Sequence, residues 1–191
     1  MIRPTPEELI SAEGRSIPEV IGPGVRYLFV GINPGLWSGA TGHHFARPGN
    51  RFWPTLHGAG FTPRLLAPDD GVTLKALGIG ITNLVNRATA KASQVSDDEL
   101  RESAARLRST VERHRPVAVA VLGVSAYRVA FGDPAAAIGR VPEPLAGAQL
   151  WILPNPSGLN ALYQLPQLID LFGRFRESVA ARAASAAIVG E

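Results

Sequence analysis

The chain has 191 residues, of which 46% are hydrophobic, enough for one compact domain with a core of its own rather than for two domains. It contains no cysteine, which excludes disulfides, thiolate catalysis, zinc fingers and cysteine-held iron–sulfur clusters. The net charge of +3 is modest and excludes little, but its distribution along the chain is informative and is taken up below.

Thr5-Pro6-Glu7-Glu8 reads as an N-cap, a proline at the first helical position and a capping-box glutamate, opening a short helix that ends near Gly14. This helix and a Pro/Gly-rich connector, Gly22-Pro23-Gly24, make residues 1–24 an N-terminal arm. A strand then runs from Arg26 through Val30 into the turn Gly31-Ile32-Asn33-Pro34-Gly35. Asn50 can cap a helix from Arg51 to about Gly58, and Ile79 to Val85 reads as a second strand. Ser96-Asp97-Asp98-Glu99 is another capping box, followed at helical spacing by Leu100, Leu107 and Val111 up to about His114. Val117 to Gly123 is a short continuous apolar run of the buried parallel-strand type, and a helix is expected from Ser125. The strand from Gln149 ends in Pro154-Asn155-Pro156-Ser157-Gly158-Leu159-Asn160. The last helix, from about Leu165, sets Leu165, Leu168, Ile169, Phe172 and Val179 on one face, and its Ala-rich tail, 183–191, is expected to fray.

Strands alternating with helices predict a three-layer α/β/α sandwich around a central, mainly parallel sheet of four to five strands, in a single domain spanning 1–191. In such a sheet ligands bind at the carboxyl ends of the strands. Those ends deliver Asn33, Asn83, Gly123 and Asn155, all small or polar, which favours one crevice over four unrelated turns.

No acidic residue stands between Glu19 and Asp69, a stretch holding Arg26, Arg47, Arg51 and Arg64 with His43, His44 and His57; from Pro144 to Ile169 there is no charged side chain at all. Both Asn-Pro segments thus avoid carboxylates, as a surface approaching phosphates requires. Of 19 basic residues only Lys75 and Lys91 are lysines, and arginine suits bidentate phosphate contacts. The first turn carries neither G-x-x-x-x-G-K-[ST] nor G-x-G-x-x-G, which removes the two common nucleotide loops. There is no run of about 18 apolar residues, and a start carrying Glu7, Glu8 and Glu13 lacks the basic and apolar segments of a secretion signal. A cytoplasmic, soluble, monomeric protein with no membrane partner is expected.

Each Asn-Pro turn alone has a plain structural explanation, because Asn hydrogen-bonds its own backbone and Gly tolerates positive φ. Together, in this order and with these flanks, the two segments resemble the signature segments of the mismatch-specific uracil-DNA glycosylase and thymine-DNA glycosylase family, a likeness running from Arg26 to about Arg176. The resemblance implies a uracil-DNA glycosylase-like fold, no cofactor and no metal, and double-stranded DNA with a mispaired or damaged pyrimidine as partner. It assigns to Asn33 the positioning of the hydrolytic water, next to Ile32. Thr41 to Trp53 matches the stretch whose aromatic residue stacks on the flipped base, which places that role on Phe45. Thr82 and Asn83 resemble the segment flanking the water. Asn155 to Asn160 matches the insertion loop, in which Leu159 fills the hole left by the base while Gly158 and Asn160 meet the widowed guanine. Ser157, Arg47 and Arg51 complete the expected DNA contacts, and Asn155 the base contacts.

The chain also departs from the family. His43-His44 is like the thymine-specific branch, Phe45 and Ser157-Gly158-Leu159 are like the uracil-preferring one, and Ala161 stands where relatives place an arginine. His43 and His44 can equally be read as solvated loop residues. Asp69 and Asp70 are the nearest acids after the first segment if a hidden general base exists. Two other classes share parts of this pattern: a catalytically idle mismatch binder and a flavodoxin-like ligand-binding module.

Overall fold

The computed structural model describes residues 3–189, with side chains as far as residue 181. The tail expected to fray, 183–191, lies outside the residues whose side chains are described. Five strands form one sheet: β1 (Tyr27–Gly31), β2 (Ile79–Asn83), β3 (Ala118–Leu122), β4 (Gly139–Leu145) and β5 (Ala148–Leu153), in the order β2-β1-β3-β5-β4. The first three and β5 are parallel, and β4 runs antiparallel to β5.

Both faces of the parallel strands are buried, as continuous apolar runs require. Alternation sends Tyr27 and Phe29 to one face and Leu28 and Val30 to the other. On the first face Phe29 stacks on Phe172 with centroids 5.5 Å apart and meets Phe52, Phe61 and Phe175 edge-on. These rings come from helices α3 (Phe52–Gly58) and α7 (Leu165–Val189), which cover that side together with the Phe61 loop. On the second face Val119 and Val121 pack under α5 (Asp97–His114) and α6 (Val124–Phe131). The expected three-layer sandwich is therefore the observed one.

Two helices begin where their capping boxes predict. Thr5 opens α1 (Pro6–Ser11) and Ser96 opens α5 with reciprocal bonds to Glu8 and Glu99. Asn50 is not the cap expected of it: α3 starts one residue later, at Phe52, with Arg51 at the N-cap position and no side-chain cap bond, and the Asn50 oxygen accepts from the Phe52 amide in a turn ahead of the helix. Two short helices, α2 (Leu36–Thr41) and α4 (Gly71–Ala76), and the edge strand β4 have no counterpart among the expected elements. In β4 the reason is Pro142 and Pro144, which break the ladder between Val141 and Leu145 and are tolerated only at a sheet edge.

The arm, 1–24, is less separate than its composition suggests. Val20 makes an antiparallel bridge to Ile81, so the arm lies along the free edge of β2 and brings Ile17 and Pro18 to the carboxyl end of the sheet.

Phe172 and Phe29 are both fully buried at the centre of the first face. Phe172→Ala should cost about 3–5 kcal/mol, read as a lower urea midpoint at unchanged m-value. A loss under about 1 kcal/mol would mean that the surrounding rings close the cavity.

Candidate active site

At the carboxyl ends of β1, β2, β3 and β5 lies a cavity of about 440 Å³. Ile32, Asn33, Phe45, Arg47, Asn83, Asn155, Ser157, Leu159 and Asn160 all line it, so the two Asn-Pro turns do share one crevice. None of its lining residues is Asp or Glu.

Asn33 forms the turn after β1. Its amide nitrogen lies 2.7 Å from Thr89 Oγ1, 3.1 Å from the Arg87 carbonyl and 3.0 Å from the Pro34 carbonyl, more acceptors than two protons can serve. The orientation of the carboxamide follows, since exchanging its ends would set an oxygen against three oxygens. Oδ1 is left without a partner inside the protein among the described residues, free to accept from whatever enters. The turn is itself zipped to the segment after β2: Leu84 donates to the Gly31 carbonyl, Val85 to that of Ile32 and Thr89 to that of Pro34.

Phe45 lines the cavity with its ring backed by Phe52 at 4.0 Å and an interplanar angle of 21°. Its φ of +53° is rare for a bulky residue, and such strain persists only where the surroundings hold it. Gly31 lies beside this ring and under Asn83. A Cβ there would sit 2.5 Å from Asn83 Oδ1, so any larger residue at the end of β1 would displace the Asn83 carboxamide.

His44 is no solvated loop residue. It is 3% exposed, its Nε2–H donates to the Pro18 carbonyl at 3.0 Å, and Nδ1 faces Asn83 Nδ2 at 3.4 Å. The Pro18 acceptor requires the proton on Nε2, which leaves Nδ1 to accept from Asn83 and turns the Asn83 oxygen toward Gly31. Burial lowers its pKa to about 4, although the Pro18 contact and Glu19 pull the other way. Thr82 differs from expectation: it lies outside the cavity wall, and its hydroxyl donates to Glu19, because alternation along β2 turns it away from the neighbour that Asn83 meets.

The second turn is an internally bonded loop. Asn155 Oδ1 accepts from the Ser157 amide, Asn160 Nδ2 donates to the Asn155 carbonyl, and Leu159 remains 74% exposed at the tip. Gly158 does not line the cavity; its α-carbon packs on the chain at Gly49, where a Cβ would lie 2.5 Å from the Gly49 carbonyl oxygen. Arg51 was expected to meet DNA, but its guanidinium is consumed by this loop, donating to the carbonyls of Ser157, Asn160 and Tyr163 at 2.6–2.7 Å and to Gln164 Oε1. Arg47 is exposed and lines the cavity.

Thr89 and the wall Ala90 to Ser93, with Lys91, escaped the sequence reading. Their position in the loop after a parallel strand was the available signal. Asp70 is paired with Arg64 at 2.8 Å and accepts from the Ala67 amide, and neither it nor Asp69 lines the cavity. Among the described residues no three His, Cys, Asp or Glu side chains come together as a metal would need, and no helix is long and apolar enough to cross a membrane.

A doubly covered parallel sheet whose strand ends hold two Asn-Pro turns around a carboxylate-free cleft is the uracil-DNA glycosylase-like fold. Residues 18–177 match the Uracil DNA glycosylase superfamily, and the chain belongs to that superfamily. Its fold is also that of the solution NMR structure of a candidate uracil DNA glycosylase from Methanosarcina acetivorans, with a TM-score of 0.58 and 20% identity over 86% of this chain and 97% of that one. A DNA glycosylase role, with DNA as the substrate, follows from the superfamily.

Burial of neutral His44 makes stability depend on pH. The folded pKa lies below the unfolded one, so the contribution is intact above about 6.5 and is lost as pH falls toward about 4. The fall should approach roughly 3 kcal/mol in unfolding free energy. His44→Gln should flatten the profile between those limits, whereas an unchanged slope would place the titration elsewhere.

The Arg47 and Arg51 geometries predict different salt behaviour. Arg47→Ala should reduce the slope of log K against log salt by about 1, as losing one phosphate contact does. Arg51→Ala should weaken binding to abasic-site DNA with the slope unchanged, and a reduced slope would show that its guanidinium leaves the loop for a phosphate.

Proposed function

We propose that this glycosylase removes uracil mispaired with guanine from double-stranded DNA, with thymine and modified pyrimidines as slower or subsidiary substrates, and that it is monofunctional. The observation that carries the reading is Asn33, whose oxygen has no partner among the described residues and faces a cavity that Phe45, Asn83 and the loop from Thr89 to Ser93 also line. In this reading the base leaves the helix and stacks on Phe45, Asn83 Oδ1 meets its polar edge, and Leu159 enters the space it vacated.

The reaction is hydrolysis of the C1′–N1 bond. With no carboxylate in the cavity wall, deprotonation of water does not lead. The bond breaks with its electron pair going to the base, and hydrogen-bond donors around the site stabilise the anion. Water held by Asn33 Oδ1 then adds to C1′ of the sugar cation and gives up one proton to solvent, the uracil anion takes up one proton in turn, and an abasic site and free uracil are left. The pairing with guanine fits a site that relies on the ease of opening, since a mismatched base costs less to extrude.

Asn33→Ala should lower single-turnover release of uracil from a G·U duplex by roughly 10²–10³ while duplex binding stays near wild type. Because base departure carries the barrier, 5-fluorouracil should leave faster than uracil and thymine more slowly in G-mismatched duplexes. Wild-type release by the Asn33 variant would remove that residue from the mechanism, and equal rates across 5-substituted uracils would mean that flipping or another group limits the reaction.

A further inference from the structure

The Arg87 carbonyl that receives the Asn33 amide belongs to a loop whose side chain is anchored on another element. Arg87 Nε and NH2 grip both oxygens of Glu99 at 2.6 and 2.9 Å, and NH2 also donates to the Gln94 carbonyl at 3.0 Å. Glu99 is the third residue of α5, where its Oε2 accepts from the Ser96 amide and hydroxyl at 2.9 and 3.0 Å. One carboxylate thus closes the helix cap and holds the arginine whose backbone oxygen orients Asn33.

We propose that Glu99 is a positioning residue for base release, acting on Asn33 through Arg87. This proposal rests on the glycosylase reading of the site. The physical basis is the contrast between the two ends of the connection. Asn33 lies on a turn without a side chain of its own to hold it, and its amide is ordered by acceptors contributed from residues 87 and 89. Those acceptors lie on an irregular segment between β2 and α5 whose backbone is tied to its neighbours at Ala88, through Gly14 and Arg15, and at Thr89, through Pro34, while Arg87 just before them is fixed by its side chain. The bidentate arginine–carboxylate pair ties this stretch to α5 with a fixed geometry, and charge-assisted bonds are the strong ones. The carboxylate stays ionised throughout the working range, its pKa held near 2 by Arg87 first and then by the Ser96 amide. Thr89 completes the frame, accepting from Asn33 while donating to the Lys91 carbonyl at 2.8 Å.

Glu99→Gln separates the two duties of this side chain, because glutamine serves a capping box as well as glutamate does but cannot offer a charged, two-oxygen acceptor to Arg87. Single-turnover uracil release should fall on the order of tenfold, short of the loss expected for Asn33 itself, with duplex affinity unchanged. In an Asn33→Ala background the same substitution should cost nothing further, since the group it positions is gone. Ser96→Ala should behave in the opposite way, lowering the melting temperature while the Glu99–Arg87 pair and the rate persist. The side-chain amide resonances of Asn33 give a readout apart from catalysis: Glu99→Gln should shift them and speed their exchange with solvent. A full-rate Glu99→Gln enzyme, or an equal loss in both backgrounds, overturns the proposal. If the wild-type protein releases no base from any duplex, the glycosylase reading falls, and unmoved Asn33 resonances would then dismiss the structural connection as well.

Discussion

The site depends on one constraint: a half-buried amide must spend its protons. Asn33 sits where the first parallel strand ends and the ladder can no longer pair its surroundings, and its nitrogen is claimed by Thr89, Arg87 and Pro34. The oxygen is therefore presented to the cavity as a fixed acceptor. Orientation by hydrogen bonding has to come before any reactant enters, because a carboxamide free to rotate would lose its accepting geometry as often as it found it.

The same economy governs the rest of the crevice. His44 is held neutral by burial, so it can orient Asn83 without placing a positive charge beside it. Arg51 keeps its charge but spends it on carbonyls of the second turn, which makes an uncharged loop rigid enough to hold an exposed leucine at its tip. Phe45 is carried by the aromatic core itself, through Phe52 to Phe29 and Phe172, so the platform at the cavity is an extension of the packing that stabilises the sheet. Ordered in this way, a cleft without carboxylates can still act on a bond that breaks by departure of a stabilised anion.

The N-terminal arm illustrates how composition misleads about separation. Gly22-Pro23-Gly24 reads as a connector that sets residues 1–24 apart, yet Pro18 supplies the acceptor that sets the His44 tautomer, and Asn86 exchanges bonds with both backbone groups of Ile17. Residues before the first strand thereby become one wall of the cavity.

The four parallel strands, the two capping boxes and the shared crevice were legible in the sequence because each rests on short-range chemistry: apolar runs, Ser or Thr three residues before Glu, and Asn-Pro turns following strands. Asn33, Phe45 and Leu159 were legible by family likeness, and they line the cavity where expected. What only the tertiary structure decided was which polar groups meet across long separations. Arg51 looks like a DNA contact until the loop more than 100 residues later closes on it, and Thr82 looks like Asn83 until the pleat turns them apart. A side chain's type is written in the sequence, but whether its charge or proton remains available depends on partners that only folding brings within 3 Å.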